Sequence, residues 1–440
     1  MREDIKSFIT TVEKPGRYSG GETGSVFKDP DAVKMRVAFC FPDVYEIGMS
    51  NLGMRILCGV FNEIPEVWCE RVYAPWTDMA AEMEKRGIPL FTHESGDPVG
   101  EFDMVAFTMQ YELCYTTMVK MLLLARISLH AADRGDEDPI VIAGGPCSYN
   151  AEPVADFVDI FSIGEGEEAL AELARLYMKM KDDGTYTREK FLFAAATELN
   201  GFYVPSLYTV TYHDDGTIAS ITPKDPRVPA KVTKRVVQDI DHCYLPKNPV
   251  IPYIETVQDR VTIEVFRGCI RGCRFCQAGF VTRPVRERSP ELLNELAKTQ
   301  IEGSGYDEIS MCSLSISDYT KIRELTDELL SWTTDKRVSI SLPSLRADSF
   351  TKELMDKIST VRSSTLTFAP EAGSQRLRDV INKNVTEADI LRAAGVAYAA
   401  GKSQVKLYFM DGLPHETYED IAGIAELAHH VVDEYYKIPE

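Results

Sequence analysis

Three cysteines lie close together in the stretch RGCIRGCRFCQAGF, which runs from Arg267 to Phe280. Cys269, Cys273 and Cys276 can act together as thiolates, which are strong ligands for zinc and for iron–sulfur clusters. A structural zinc site needs four cysteine or histidine ligands, so the stretch is one ligand short of it. The candidates for a fourth ligand are His242, Cys243 and Cys312.

A redox pair and an iron–sulfur cluster are the alternatives to zinc for these three thiols. The spacing of Cys273 and Cys276 is that of a redox pair, which leaves Cys269 without a role. An iron–sulfur cube held by three thiolates uses all three cysteines and leaves one iron open to a small molecule. The spacing favours the cube and leaves zinc and the redox pair open.

Two later segments accompany the cysteine stretch, in which CIRGCRFC fits the pattern C-x-x-x-C-x-aromatic-C. They are FAPEAGSQRLRDVINKN (Phe368 to Asn384) and KLYFMDGLPHETYED (Lys406 to Asp420). With these features residues 255–440 resemble the radical S-adenosylmethionine (SAM) superfamily. Within it, they resemble the subgroup related to the Elongator catalytic subunit and the methylthiotransferases.

This resemblance implies an enzyme that cleaves SAM at a [4Fe–4S] cluster bound by Cys269, Cys273 and Cys276. One electron from the reduced cluster would cleave SAM into methionine and a 5′-deoxyadenosyl radical, which abstracts hydrogen from a substrate. A small electron donor such as flavodoxin or ferredoxin would be the partner. Methyl or methylthio transfer is the expected outcome, and no residue identifies the substrate or a catalytic group beyond the cluster ligands. The alternative is an iron–sulfur or zinc-binding regulatory module without turnover.

The resemblance also implies side chains that contact SAM. Phe275 matches an aromatic residue near the adenine, and Glu371 and Ser374 match polar positions that reach the ribose or the amino acid portion. Arg346 would bind the SAM carboxylate with two parallel hydrogen bonds. A surface ion pair with Asp348 is its alternative role.

One departure from the family pattern moves the expected contacts. The Gly-Gly-Glu segment that relatives carry after their second strand is absent, and CSLSIS (Cys312 to Ser317) stands in its place. We therefore expect Ser313, Ser315 or backbone carbonyls to bind the SAM amino group. Gly412 is expected to pass the adenine with its backbone.

A second resemblance concerns the front of the chain. Residues 142–170, IAGGPCSYNAEPVADFVDIFSIGEGEEAL, resemble the end of the cobalamin-binding-type domain that precedes many radical SAM cores. The usual D-x-H-x-x-G is replaced by DVYEIG, which offers no histidine to cobalt. Bound cobalamin and a platform for substrate or partner both stay open. The candidate corrinoid contacts are Asp43, Gly48, Thr108, Gly144 and Gly145.

Strands alternate with helices along most of the chain, which predicts an α/β protein. Residues 31–200 are expected to form a doubly wound, Rossmann-like parallel sheet, with ligand sites beyond the carboxyl ends of its strands. Residues 255–440 are expected to form five strand–helix units of a (β/α)6-type barrel, including a helix from Thr351 to Ile358. The last strand of such a barrel is missing, so we expect either a fragment or a barrel that is open at one edge.

The remaining segments connect these two domains. Residues 1–30 form a polar lead-in. Residues 201–254 contain a β-hairpin that turns on Asp214-Asp215-Gly216, followed by a proline-rich linker.

Composition restricts the class of protein. The chain has 440 residues, of which 44% are hydrophobic and 26% charged, as in a soluble protein of two or three domains. Its amino terminus lacks the apolar run of a signal peptide, and the most apolar run, Met118 to His130, is too short to span a membrane. We therefore expect a cytoplasmic protein with reduced cysteines and without a membrane segment.

Charge argues against general nucleic-acid binding without excluding it, because the net charge is −20. The exception is Arg267 to Arg288, which holds six arginines against the single Glu287. These cations suggest either a solvated basic loop or compensation of a bound anion or negative cluster.

Overall fold

The computed structural model describes residues 3–343, 346–348 and 366–438, and they form two compact α/β units. The first unit contains Met1–Gln238 and His242–Asp259, and the second contains Asp239–Asp241 and Arg260–Glu440. Most of the segment 201–254, expected to be hairpin and linker, therefore belongs to the first unit. The helix expected from Thr351 to Ile358 lies outside the described residues.

The first unit is built on a six-stranded sheet and carries a separate hairpin. The sheet strands are β1 (Met35–Phe41), β2 (Val67–Tyr73), β3 (Met104–Thr108), β4 (Ile140–Gly144), β5 (Ile160–Ser162) and β6 (Phe202–Tyr203). The hairpin strands are β7 (Tyr208–Tyr212) and β8 (Ile218–Pro223). The α-helices are Glu3–Lys6, Tyr45–Gly48, Leu52–Asn62, Thr77–Arg86, Cys114–Leu124, Gly166–Asp182 and Arg188–Glu198. The 3-10 helices are Ile9–Thr11, Pro15–Arg17, Val99–Glu101, Ala131–Asp133, Pro146–Asn150, Glu152–Phe157 and Pro205–Leu207.

The sheet has the strand order β2-β1-β3-β4-β5-β6. Strands β1 to β5 are parallel, and β6 runs antiparallel to β5. Helices cover both faces of such a sheet, which is why its central strands are buried throughout, as in MVAFT of β3. The order changes direction between β1 and β3, and ligands of doubly wound sheets bind at the carboxyl ends of the strands beside such a point.

A network of ion pairs is buried beside β2. Arg71 pairs with Glu22 at 3.0 Å and with Glu94 at 2.6 Å, and Tyr45 donates a hydrogen bond of 2.9 Å to Glu22. Burial alone would raise the pKa of the Glu22 carboxyl, but the charges of Arg71 and His93 and the hydrogen bonds that Glu22 accepts together lower that pKa to about 2. Glu22 therefore stays ionised in the folded protein at pH values well below the ordinary pKa of a glutamate.

Acid is expected to weaken the first unit through this carboxylate. A lowered folded-state pKa contributes stability above the ordinary value of 4.5, and that stability is lost as the pH falls from there toward 2. Full protonation removes roughly 3 kcal/mol. Urea unfolding at pH 7 and pH 3 should show a smaller decrease for Glu22→Gln than for the wild type. Because burial raises the pKa of Glu94, its titration acts in the opposite direction, and equal decreases in both proteins would contradict the assignment to Glu22.

The second unit contains shorter sheets. Its strands are β9 (Val261–Glu264), β10 (Phe266–Arg267), β11 (Arg286–Glu287), β12 (Glu308–Cys312), β13 (Ser339–Ser341), β14 (Leu366–Glu371) and β15 (Val405–Phe409). Its α-helices are Ala278–Val281, Pro290–Ser304, Ile322–Lys336, Gln375–Val380, Glu387–Ala399 and Tyr418–Tyr436, and a 3-10 helix covers Ile316–Asp318.

Parallel pairing dominates this unit. Strands β13-β12-β9 form one parallel sheet, and β14 pairs in parallel with β15. Strand β9 ends at Glu264, after which β10 pairs antiparallel with β11. The cysteine stretch is therefore a loop whose two ends are held together by the β10–β11 pair.

No helix within residues 3–343, 346–348 and 366–438 is long and apolar enough to cross a bilayer.

Candidate active site

The cysteine loop is fastened to the segment that follows β14. The backbone N–H of Arg274 donates to the carbonyl of Ile381 at 2.9 Å, and its guanidinium donates to the carbonyl of Val380. From the other side, Asn382 Nδ2 donates to the carbonyl of Gly272 at 2.7 Å. These contacts join two parts of the sequence more than 100 residues apart, because the contact from Asn382 spans 110 positions.

Arg271 fastens the loop at a second place. Its Nε donates to Asp318 at 3.0 Å, and its Nη1 lies 3.5 Å from Asp348. The hydrogen bond that Arg271 donates to Asp318 raises the pKa of Arg271. Burial opposes ionisation of Asp318, but the hydrogen bonds and positive charges around it, among which the bond from Arg271 contributes most, together lower the pKa of that carboxyl. Both shifts favour the charged forms of the pair.

Most arginines of the segment Arg267 to Arg288 form contacts within the protein itself. Arg267 and Arg288 both pair with Glu264, at 2.9 Å and 2.7 Å, and Arg288 is 1% exposed. Burial raises the pKa of Glu264, but the two guanidinium groups prevail and lower it. Arg283 donates to the carbonyls of Cys269 and Arg271. These arginines therefore hold the loop in place, whether or not they also offset the charge of a bound anion or cluster.

A cavity of about 560 Å³ opens beside the loop. Side chains that the sequence suggested for the cluster and for SAM meet there, although they come from four separate segments. They are Cys269, Cys273, Phe275, Cys276, Ser315, Arg346 and Glu371. The cavity also has apolar walls, formed by Leu314, Leu342, Pro343, Leu366 and Ala369.

The placement of the three thiols bears on which metal they fit. Two sulfurs on one zinc ion lie at most about 4.6 Å apart, because each Zn–S bond is about 2.3 Å. The three sulfurs do not form a group whose members all lie within 4.8 Å of one another. An iron–sulfur cube carries its thiolates on different irons and so accepts wider spacing. Burial raises the pKa of the Cys273 thiol, while the charges of Lys383 and Arg346 act to lower it.

Lys383 is a cavity residue that no sequence pattern suggested. Its Nζ pairs with Glu371 at 2.9 Å and lies 5.8 Å from the ring centroid of Phe275. Glu371 itself has φ +67°, a left-handed backbone that costs a non-glycine residue of order 1 kcal/mol or more. Such strain is typical of residues held in place for function, and here it occurs where β14 ends at the cavity.

Phe275 and Arg346 both have contacts within the protein, and those of Arg346 include the ion pair with Asp348 that the sequence left open. Phe275 packs against the small apolar cluster of Ala372, Leu377, Ile381 and Leu413 while it also lines the cavity. Arg346 donates to Asp348 at 3.0 Å and to the carbonyl of Lys383 at 3.2 Å. Both side chains are therefore held by contacts within the protein that do not depend on a ligand.

Three of the suggested SAM contacts do not line this cavity. Ser374 accepts from the backbone of Leu377 at 3.1 Å as the N-cap of helix Gln375–Val380, and its hydroxyl donates to Asp420. Ser313 lies one residue from the lining side chain Leu314. The backbone N–H of Gly412 donates to Glu416 at 2.6 Å.

Gly373 allows a close approach between two segments behind the cavity. A Cβ at this position would lie 2.3 Å from the backbone nitrogen of Ile424 and 2.5 Å from the carbonyl oxygen of Asp420, both in helix Tyr418–Tyr436. Backbone atoms cannot rotate away, so Gly373→Ala should cost about 1–3 kcal/mol of stability. Thermal unfolding tests this, with Gly395→Ala as the control, because a Cβ at Gly395 would lie 3.7 Å from its nearest neighbour. An equal loss in the two variants would contradict the steric explanation.

In the first unit, the candidate corrinoid contacts lie at the carboxyl ends of β1, β3 and β4. Asp43 accepts a hydrogen bond from the hydroxyl of Tyr111, and the hydroxyl of Thr108 accepts one of 2.6 Å from Gln110. The buried Thr108 is 5% exposed.

The three glycines of that set differ in their surroundings. A Cβ at Gly48 would lie 2.4 Å from the ring of Tyr73, and one at Gly145, where φ is +97°, would lie 2.6 Å from the carbonyl oxygen of Met109. Packing within the unit therefore explains these two glycines without a ligand. At Gly144 the nearest atom, on Ser162, would be 3.8 Å away, so this position alone has room beside it.

Comparison with known families accounts for most of both units. Residues 263–428 match the radical SAM superfamily, and residues 53–205 match the N-terminal domain of radical SAM proteins. The chain thus carries a radical SAM domain, preceded by an N-terminal domain of the kind found in radical SAM proteins. Proteins of this superfamily use a [4Fe–4S] cluster and SAM, and the matched core contains the cavity and its three cysteines.

The chain is 29% identical over 403 residues to an uncharacterized protein of Methanocaldococcus jannaschii, covering 91% of this chain and 75% of the relative. Two solved structures share its fold. OxsB, a cobalamin-dependent SAM radical enzyme with aqua-cobalamin bound, aligns with a TM-score of 0.55 at 13% identity over 89% of this chain and 52% of OxsB. The radical SAM methyltransferase TsrM from Kitasatospora setae aligns with a TM-score of 0.56 at 13% identity over 91% of this chain and 72% of TsrM. The chain thus spans about half the length of OxsB.

Proposed function

We propose that Cys269, Cys273 and Cys276 hold the [4Fe–4S] cluster and that SAM binds beside it in the 560 Å³ cavity. The observation that carries the proposal is the convergence of three thiols, three cations and a strained carboxylate on one cavity with apolar walls. The chemistry that a reduced cluster supplies is one-electron cleavage of SAM to methionine and a 5′-deoxyadenosyl radical.

The chain's own side chains bind and orient SAM in this proposal. Arg346 and Lys383 offer positive charge to the carboxylate of SAM, and Glu371 offers negative charge to its amino group or ribose hydroxyls. Phe275 lies beside the adenine, and Ser315 adds a hydroxyl to the wall. The apolar side chains around them exclude water, which strengthens the ionic contacts to SAM inside the cavity.

We further propose that the outcome is methyl transfer assisted by a corrinoid on the first unit. Fold likeness to a cobalamin-bound radical SAM enzyme and to a radical SAM methyltransferase supports this. In this chain the loops that follow β1 to β4 each expose a large apolar side chain, which suits a flat macrocycle. These side chains are Ile47, Trp76, Leu113 and Tyr149. Asp43, Thr108 and Gly144 would lie beside the nucleotide tail, and no histidine is required below the metal.

Radical SAM enzymes need a reductant. For this chain we propose a small one-electron donor such as flavodoxin or ferredoxin. The closer relation of the core to the Elongator catalytic subunit and the methylthiotransferases rests on the segments Phe368 to Asn384 and Lys406 to Asp420, and it stays a prediction.

Anaerobic reconstitution of the full chain with iron and sulfide tests the proposal. About four irons per chain and reductant-dependent formation of 5′-deoxyadenosine from SAM are expected. Retention of zinc in protein purified without oxygen would overturn the cluster assignment, and iron binding without any deoxyadenosine would overturn the cleavage of SAM. Supplementation with hydroxocobalamin followed by gel filtration tests the second part. Corrinoid absorbance should stay with the protein, and its complete loss would remove the corrinoid from the proposal.

A further inference from the structure

A second and larger cavity, of about 770 Å³, lies in the first unit. It is lined by Asp136 and Asp159, which come shortly before β4 and β5, so it belongs to the amino ends of these strands. The carboxyl ends, where a doubly wound sheet binds its ligand, carry the residues discussed for the corrinoid. The 770 Å³ cavity is therefore a separate site, and nothing in the proposed reaction uses it.

One wall of this cavity is the apolar face of the β7–β8 hairpin. Tyr208, Val210 and Tyr212 all line the cavity, because alternate side chains of a strand point to the same side. Their register continues the apolar face onto β8, where Val210 pairs with Ile221 and Tyr212 pairs with Ile218. The other face of the hairpin carries threonine and serine.

This apolar face is largely open. Tyr212 is 57% exposed, Ile218 43% and Ile221 41%. Within the described part of the chain the hairpin remains two-stranded, and β7 pairs with β8 on one edge only. A two-stranded hairpin with an apolar face is marginally stable alone and gains from a covering partner.

The charges around the cavity indicate which charge a partner would carry. Five carboxylates line it, against three cationic side chains. Two of the cations, Arg134 and Arg188, are buried and both bind Asp159, at 2.9 Å and 2.6 Å. The third, Lys224, donates to the carbonyl of Ser206 at 2.8 Å. Four carboxylates form no ion pair with any residue that the structure describes: Asp136, Glu152, Asp156 and Glu189.

We propose that this cavity binds an extended, basic segment of a partner protein in which lysine or arginine alternates with apolar residues. The alternation follows from β7, whose cavity-facing side chains recur every second residue and match an extended strand laid beside them. The basic residues follow from the four carboxylates without ion pairs. Nucleic acid does not fit, since the same carboxylates repel phosphates. A polyamine matches the charges but leaves the apolar face uncovered.

Peptide binding to the full chain tests this proposal. The probe is a fluorescein-labelled peptide in which lysine and valine alternate, followed by anisotropy at about 0.15 M salt. The double variant Asp156→Lys/Glu189→Lys should weaken binding by at least about tenfold, because two attractive charges become repulsive. The matched control, Glu63→Lys/Asp183→Lys, makes the same change of net charge at exposed carboxylates outside the cavity and should leave the affinity unchanged.

A second variant separates the apolar contribution from the charges. Tyr212→Ser should weaken binding of the lysine–valine peptide and leave binding of a lysine–glycine peptide unchanged. Equal loss in the two charge-reversal variants would overturn the proposal, because the peptide would then bind this acidic chain without a site. Displacement of the peptide by equimolar spermidine would overturn it in favour of a small-cation site. All readouts are binding measurements, so they do not depend on whether the chain cleaves SAM.

Discussion

Replacing Cys273 by serine should lower the rate of 5′-deoxyadenosine formation by more than about 100-fold, the upper range for losing even an outer partner of a metal ligand. The thiolate is what binds iron, and a serine hydroxyl stays protonated near neutral pH. Burial raises the pKa of the Cys273 thiol, and the charges of Lys383 and Arg346 offset this only in part, so iron binding must release the thiol proton. Iron content and product formation are measured after reconstitution without oxygen.

The matched control is Cys312→Ser. Cys312 ends β12, and it is absent from the lining of the 560 Å³ cavity even though the nearby Leu314 and Ser315 belong to it. We expect Cys312→Ser to keep its iron and its rate. Loss of iron in both variants would make Cys312 a fourth protein ligand. The open coordination site on which SAM binding depends would then be closed.

The main strands of both units could be predicted from the sequence because each strand has a simple pattern of buried residues. Strand β3 is apolar throughout, since helices cover both faces of the sheet. In β9 the side chains of Val261 and Ile263 alternate with half-buried Thr262 and Glu264, which is the pattern of one buried face. Each signal depends only on residues within the strand itself.

The short antiparallel pairs could not be predicted in the same way. Strand β6 and the β10–β11 pair each involve segments of two residues, which is too short for any periodicity. The run RVTIEVFRG, Arg260 to Gly268, predicts one continuous strand, but β9 stops at Glu264 and β10 turns to meet β11. That turn is what folds the cysteine stretch into a loop, and its cause is the pairing with residues about 20 positions later.

The candidate site shows the same limit. The three cysteines, Phe275 and Arg346 could be named because motifs or loops after strands single them out. Lys383 could not, since its role comes from the ion pair with Glu371 that forms only when the segment after β14 folds back. Tyr408 of β15 also lines the cavity and has no sequence signal of its own.

Ser374 illustrates how two roles compete for one residue. A serine before a helix is a common N-cap, and here its side chain accepts from Leu377 while its hydroxyl donates to Asp420. Resemblance alone suggested a contact with SAM, which stays a prediction. Capping is a local effect, so the position of Ser374 directly before a helix predicts it without any resemblance.

Asp159→Asn should cost the first unit about 3 kcal/mol of folding free energy, the scale of breaking a buried ion pair. Asp159 is 3% exposed, and its Oδ2 accepts from Arg134, from Arg188 and from the backbone of Val141. Burial lowers the pKa of Arg134, the charge of Asp159 acts to raise it, and the charge of Arg188 lowers it further. Without Asp159, two buried guanidinium groups face each other with no carboxylate between them. Urea unfolding followed by circular dichroism measures the change.

The control is the same substitution at an exposed ion pair. Asp182 pairs with Lys34 at 2.7 Å, but the two side chains are 54% and 49% exposed, so Asp182→Asn should cost at most about 1 kcal/mol. The contrast isolates burial, because residue type and charge change are identical. If Asp159→Asn cost no more than Asp182→Asn, the hydrogen bonds from Arg134 and Arg188 to backbone carbonyls would be sufficient to hold both arginines. Asp159 would then serve to neutralise the floor of the 770 Å³ cavity rather than to stabilise the sheet beside it.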